Sequence, residues 1–517
     1  MPALPALAVS KRARIALVSA AALLGAAYAA LLWSLDGLPY EDLPNHLSRA
    51  VVIADLLFHA GQRFGDLFTF KLALNPYILG DLALASMVEI LGPYAAGRLW
   101  MILVAASLPL SLAVYLRATG HSAYGILVAG VVGLYLGTDW FFVNGFAAFR
   151  LAVAATLLTS AAWTVYLRTG SGWVYLGYLA VLVAGYLTHF SALIFCAAAV
   201  GAISAVALRS GMAPPGRLVL GALPFMVLFG WHFSFVAAES PEPALWRLPL
   251  AKKIARVASP LHRYDMATEG ALVALFAAAC GLMARGWRRA RASPAVVTAA
   301  VLAVVFAALY VALPYRKGEI TYVDVRALPY VGIFALICAV GIAEHEGRPR
   351  LAVVGLSVLL AGANLLVLTA HLRSANPAML QYRALATRLP PRATVLTVVT
   401  SLPKDGRSEP YNSAGAFATI ESGAMTPYIF EGGAQAYFRA RVLPYAPNEY
   451  WYRFRADPGD PVILARTYDY VLAMRPFDRA RLPVRTVELA HNDAAVLLEV
   501  LRDRPPREAG SASLGGH

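Results

Sequence analysis

The stretch Tyr40-Glu41-Asp42-Leu43-Pro44-Asn45-His46-Leu47-Ser48-Arg49 holds the residues best suited to chemistry. Two adjacent carboxylates precede a helix that begins near Pro44. In that helix His46 and Arg49 are three residues apart and so share one face close to the acids. A carboxylate that loses part of its hydration at a membrane boundary has a raised pKa and can accept a proton, which is the work of a general base. The same residues also read as an ordinary helix start. Asp42 would then be the N-cap, with Pro44 in the first turn and His46 and Arg49 on a solvated face. Both readings stand on the sequence.

A second group lies at Asp324-Val325-Arg326, preceded by Arg316 and Lys317. Cations gathered at a helix entry suit a phosphate or pyrophosphate, and equally suit snorkelling into lipid headgroups. Arg150, which follows Asn144-Gly145 and an aromatic run, is placed the same way. His189, in Thr188-His189-Phe190-Ser191, joins two apolar segments. A polar residue at that depth is costly and turns toward a cavity or a partner, as a site residue or as a hydrogen-bonded core histidine. Walker A, Gly-x-Gly-x-x-Gly, His-Glu-x-x-His and Gly-x-Ser-x-Gly patterns are all absent, which points away from ATP, dinucleotides, zincin-type metals and serine hydrolysis.

The elements that must position these residues are membrane helices. Of 517 residues 59% are hydrophobic and 14% charged, with a mean hydropathy of +0.60. Apolar runs of about 20 residues recur, the length that crosses a hydrocarbon core of roughly 30 Å. Spans are expected at 15–35, 99–116, 123–138, 148–167, 174–189, 191–208, 218–237, 270–284, 295–314, 327–343 and 351–370. Lys11, Arg12 and Arg14 precede the first span, and alternate connections carry Arg117, Arg168, Arg209, Arg217, Arg285, Arg288, Arg289, Arg291, Arg348 and Arg350. That asymmetry places the N-terminus inside and the C-terminus outside. The net charge of +14 therefore reflects topology. No basic stripe interleaved with exposed aromatics argues for nucleic acid.

The expected organisation is an all-α polytopic membrane domain of about eleven helices over 1–371, with a large outer loop at 36–98. A small α/β extracytoplasmic domain follows over 372–503, and a disordered tail over 504–517. The loop carries an amphipathic helix to about residue 60 and a helix at about 77–91. Asp81 and Glu89 in the latter make it interfacial. Cys196, Cys280 and Cys338 all fall in expected spans, so the outer domain folds without disulfides.

This plan resembles the GT-C superfamily of membrane glycosyltransferases, which includes protein mannosyltransferases, lipid A aminoarabinose transferases and oligosaccharyltransferase catalytic subunits. The resemblance covers nearly the whole chain as architecture, and its specific residues are Tyr40–Arg49, Thr188–Ser191 and Asp324–Arg326. It implies transfer of a sugar from a polyprenyl-phosphate-linked donor to a lipid, glycan or protein acceptor at the outer face of a bacterial inner (plasma) membrane. It implies Asp42 as base with Glu41 its alternate, and Arg326 as phosphate ligand supported by Lys317 or Arg150. His46 and His189 would position donor or acceptor. A divalent cation is left open, since no second acidic motif stands out, although Asp139 lies in a later outer loop. A transporter or flippase, and a polymerase or ligase of another membrane fold, are the competing functions.

Overall fold

The computed structural model describes residues 11–236, 245–290, 293–317, 321–345, 351–399, 408, 410–427, 429, 437–441 and 461–501. The tail 504–517 and the basic residues Arg291, Arg348 and Arg350 lie outside the described residues. After α1 (Lys11–Trp33) the first loop forms α2 (Leu43–Phe58), the short strand β1 (Phe68–Phe70) and α3 (Ile78–Leu91). The bundle continues with α4 (Pro93–Ala118), α5 (Ala123–Gly137), the single turn α6 (Trp140–Val143), α7 (Ala147–Thr169), α8 (Gly172–Thr188), α9 (Phe190–Arg209) and α10 (Pro215–Trp231). A two-residue β2 (Leu245–Trp246), the short α11 (Leu250–Ala255), α12 (Met266–Met283), the turn α13 (Trp287–Ala290), α14 (Pro294–Ala312), the two-residue β3 (Arg316–Lys317) and α15 (Leu328–His345) follow. The bundle closes with α16 (Leu351–Ala386).

Nine helices among the described residues are long and apolar enough to cross a membrane, and α5 and α8 are shorter apolar helices. Each span expected from the sequence falls on one of these. The chain is an integral membrane protein. Pro109 and Pro224 sit inside α4 and α10 without ending them, as membrane helices tolerate where neighbours satisfy the freed carbonyl. At 36 residues, α16 is about 54 Å long at 1.5 Å per residue, more than a bilayer core needs. Its last turns leave the bundle and enter the C-terminal region.

There the remaining elements are β4 (Val395–Val399), α17 (Phe417–Ser422), β5 (Phe438–Ala440), α18 (Pro461–Thr467), β6 (Tyr470–Met474), β7 (Thr486–His491) and β8 (Ala495–Val500). Four strands form one sheet in the order β4-β6-β8-β7, with β4 parallel to β6 and the other pairings antiparallel. Strand β4 is buried along its whole length because both faces of the sheet are covered. Val395 and Val399 belong to a core shared with α16 and the first loop, while Leu396 and Val398 belong to a second core with α18.

The first loop and the C-terminal region are built together. Leu43, Leu47 and Phe64 share one hydrophobic core with Val395, Phe417 and Phe438. Strands β1 and β5 pair antiparallel, with Thr69 opposite Arg439. Arg63 donates to the carbonyls of Thr419 and Ile420, at 3.3 and 3.2 Å. The segment after the opening helix is thus clamped between the bundle and the C-terminal region rather than left in water.

Candidate active site

Asp42 occupies the N-cap position of α2, but its carboxylate makes no capping hydrogen bond. The side chain is therefore not spent on closing the helix. Its backbone is held instead: the Asp42 N–H donates to the Asn144 carbonyl at 3.0 Å. The carboxylate is deeply set yet still partly accessible, as a group lining a recess is. Burial pushes its pKa from 3.8 up to about 7, against the opposing pull of Arg326 and then Arg49. Glu41 is differently engaged, its Oε1 accepting from Asn412 Nδ2 at 2.8 Å.

The Asn144–Gly145 turn that receives Asp42 needs glycine. Gly145 has φ +77°, and an added Cβ would sit 2.8 Å from Leu43 N and 3.0 Å from Asp42 N. Gly145→Ala therefore pushes the carboxylate out of place. If Asp42 does chemistry, steady-state kinetics of that variant show kcat falling about tenfold or more with KM little changed, since misplacement of about 1 Å can cost 10²-fold.

Arg326 comes from the short 3-10 turn Val325–Ala327 that opens α15. Its Nη1 lies 3.2 Å from His189 Nε2, and its guanidinium is 5.6 Å from the centre of the Phe149 ring. Tyr77 OH is also 3.2 Å from His189 Nε2. On the other edge of the ring, His189 Nδ1 lies 2.8 Å from Ser191 Oγ. Burial first, then Arg326 and His46, hold His189 well below its ordinary pKa, so it is neutral. The Nε–H of Arg326 is buried without a hydrogen-bond partner among the described residues. One unspent donor on a half-buried cation suits an anion.

Arg49 completes the cluster from α2. It ion-pairs with the buried Asp81 of α3 at 2.7 Å and its Nη2 lies 3.0 Å from His46 Nδ1. Asp42, His46, Arg49, His189 and Arg326, read from distant parts of the sequence, thus converge: Arg49 touches His46, Arg326 touches His189, and both cations act on Asp42. Among the described residues no three His, Cys, Asp or Glu side chains converge as metal ligands. The charges that act on Asp42 are those of Arg326 and Arg49, and cations beside it make its carboxylate a poor metal ligand.

No family model matches the chain, and no curated protein matches it. Solved structures do. ArnT from Cupriavidus metallidurans bound to undecaprenyl phosphate aligns over 92% of this chain and 97% of its own, with a TM-score of 0.50 and 14% sequence identity. The same protein in its apo state aligns over 93% and 98%, with a TM-score of 0.51 and 12% identity. The chain has the GT-C fold. Identity this low speaks for the architecture alone.

Within this GT-C bundle two residues expected at the substrate, Arg150 and Asp324, are placed elsewhere. Arg150 is fully buried, with Nη1 3.0 Å from Asp139 Oδ2 and Nη2 donating to the Leu136 carbonyl at 3.0 Å. It pins the end of α5 and the turn that carries Asn144. Asp324 is buried and ion-paired with Lys253 at 3.0 Å, and it accepts from the Val325 N–H at 2.8 Å. It anchors the turn bearing Arg326 rather than facing a ligand. Lys317 lies in β3 opposite Leu245, and its side chain is outside the described residues. Arg150→Met alone leaves the Asp139 carboxylate without its cation, which costs about 3–5 kcal/mol for a buried pair. The Arg150→Met/Asp139→Leu double variant recovers most of that loss. Thermal unfolding in detergent checks both.

Residues missed in the sequence are Tyr77, Asp81 and Tyr437. Asp81 was visible as an acid in an apolar helix, and reading it as a mark of interfacial exposure is corrected here. It is 4% exposed and paired with Arg49. A charge in such a helix is costly and signals a partner before it signals water. Tyr437, which donates from the C-terminal region to Asp81, carried no signal at all.

Proposed function

We propose that this protein is a glycosyltransferase that moves a sugar from a polyprenyl-phosphate-linked donor to an acceptor at the extracytoplasmic face of the membrane. The observation that carries the reading is the meeting of a high-pKa carboxylate that caps no helix with a half-buried cation that has a donor to spare. A base and a phosphate ligand are what displacement at a sugar–phosphate carbon needs. The GT-C fold, and the undecaprenyl phosphate bound by ArnT, support it.

In the reaction, an acceptor hydroxyl oxygen attacks the anomeric carbon from the face opposite the phosphate, inverting it. Asp42 takes the hydroxyl proton as the new C–O bond forms. The bond from carbon to phosphate oxygen breaks, and the electron pair leaves with the phosphate, where Arg326 stabilises the charge that develops. Tyr77, His189 and Phe149 hold that guanidinium in place. The prenyl chain stays in the bilayer throughout, so the reacting phosphate is delivered at the interface.

The test is reconstitution in liposomes with a radiolabelled polyprenyl-phosphate sugar and a panel of lipid, glycan and protein acceptors. Label passing to an acceptor, with release of prenyl phosphate, is the expected result. Passage of intact donor across the bilayer with no product formed would instead establish a flippase.

A further inference from the structure

A cleft of about 380 Å³ opens between the end of α2 and the C-terminal region, a size within the range of small-ligand sites. Asp55, Gln62 and Arg63 line one wall, and Arg392, Ser422 and Gly423 the other. The cleft is separate from the candidate active site. Asp42 precedes α2 and Asp55 lies in its last turn, about 20 Å away at 1.5 Å rise per residue.

Both walls are shaped around guanidinium groups. Gly423 has φ +76°, and an added Cβ would sit 2.9 Å from Arg63 Nε, so a side chain there would crowd Arg63. Arg392 holds a left-handed φ of +62°, uncommon for a long side chain, and its N–H donates to the Gly423 carbonyl at 3.2 Å. Much hydrogen-bonding capacity stays in hand. Among the described residues the Arg63 side chain donates from Nη2 alone, to the Thr419 and Ile420 carbonyls. Arg392 likewise donates from Nη2 alone, to Asp66 at 3.1 Å, and the exposed Gln62 amide has no partner there. Charge then selects the ligand. Asp55 and Glu421 act on Arg63 and Asp66 pairs with Arg392, so neither guanidinium is left as an unbalanced charge for a phosphate. What remains is N–H donors beside carboxylate and amide oxygens. Hydroxyl groups, which both donate and accept, match that lining, and a chain of sugars presents many of them.

Resting on the transfer reading above, we propose that this cleft is a saccharide subsite that holds an uncharged, hydroxyl-rich stretch of the acceptor's sugar chain. The acceptor is thereby a glycan of several units, the head of a glycolipid or a soluble glycan. Its far end rests between Gln62 and Arg392 while its reacting hydroxyl lies at Asp42. A single sugar or a bare lipid headgroup reaches one of the two places and not both.

The test is equilibrium dialysis of the full-length protein in detergent, without donor, against radiolabelled neutral oligosaccharides and, separately, radiolabelled inorganic phosphate. Oligosaccharide affinity is expected to fall about tenfold in each of Gln62→Ala and Arg392→Ala, the scale of a hydrogen bond or two. Phosphate affinity is expected to be the same in parent and variants. Both variants fold, because the Gln62 amide holds nothing else and the exposed Arg392–Asp66 pair contributes little. Presenting the same oligosaccharide on a glycolipid in mixed micelles separates the sources. Tighter binding than the free sugar, lost in the same variants, marks a glycolipid; equal binding marks a soluble glycan. In transfer assays with an oligosaccharide acceptor, the variants raise the acceptor KM about tenfold and change kcat little. Oligosaccharides that do not bind, that bind both variants as well as the parent, or phosphate binding weakened by Arg392→Ala overturns the proposal. Dialysis needs no turnover. An empty cleft leaves sugar transfer at Asp42 standing, and a protein that transfers nothing still gives a readable saccharide affinity.

Discussion

Asp42→Asn is expected to lower the transfer rate by about 10³-fold, within the range found for removal of a positioned general base, while donor binding changes little. Asparagine keeps the size and polarity of the side chain but accepts no proton. Its backbone contact to Asn144 is unaffected, so the fold of the site is preserved. Glu41→Gln is the matched control, and it should cost less than about tenfold, since a carboxylate already bonded to Asn412 is not the group awaiting a proton. The pH profile gives an independent reading. As the proposed base Asp42 works only when ionised, and its pKa is pushed up to about 7. Transfer therefore rises with pH, about tenfold per unit below that point, and levels off above it.

The same shift has a stability consequence of opposite sign. In the unfolded chain Asp42 ionises near its ordinary 3.8, whereas in the folded chain it keeps its proton to about 7. Between those values the folded state binds more protons than the unfolded one, so stability falls as pH rises through the window. Asp42→Asn removes this burden. The inactive variant should melt higher than the parent at pH 8, and the difference should narrow toward pH 5. A buried carboxylate with a raised pKa is costly to the fold once it ionises.

How much of this could be read from the residues in order depends on which forces leave a local trace. Membrane helices do, because a bilayer demands about 20 apolar residues in a row, and even the closely spaced α8 and α9 were legible around His189. The β7–β8 hairpin leaves a local trace too, in Asn492-Asp493 between two apolar runs. The two readings of Asp42, base or cap, were not separable. Both need an acid before Pro44, and the absence of a capping bond removes only the simple cap reading. Arg150 and Arg326 looked alike in sequence, each a cation at a span entry. What distinguishes them is Asp139, which accepts from Arg150 at 3.0 Å. Tyr437 lay furthest from view, because its bond to Asp81 closes a gap of 356 residues that no local pattern encodes.

Arg326→Gln should be the second most damaging substitution, lowering kcat/KM by about 10²–10³-fold, the scale reported for one lost donor to a developing oxyanion. The argument is one of charge as much as of hydrogen bonds. Arg49 is balanced by Asp81, Arg150 by Asp139 and Lys253 by Asp324. Among the described residues Arg326 has no ion pair; Tyr77 and then Asp42 act on it electrostatically, and Asp42 is protonated for much of the time near pH 7. An arriving phosphate finds a cation that no ion pair commits. In the proposed reaction, a phosphate that engages Arg326 offsets the charge that holds the Asp42 pKa down, which makes Asp42 a stronger base. Arg326→Lys keeps the charge but not the fork that reaches phosphate and His189 together, so it should recover donor binding more than rate. Titration of each variant with a fluorescent prenyl phosphate, beside the transfer assay, separates the two effects. Unaltered affinity and rate in Arg326→Gln would remove the phosphate from this site.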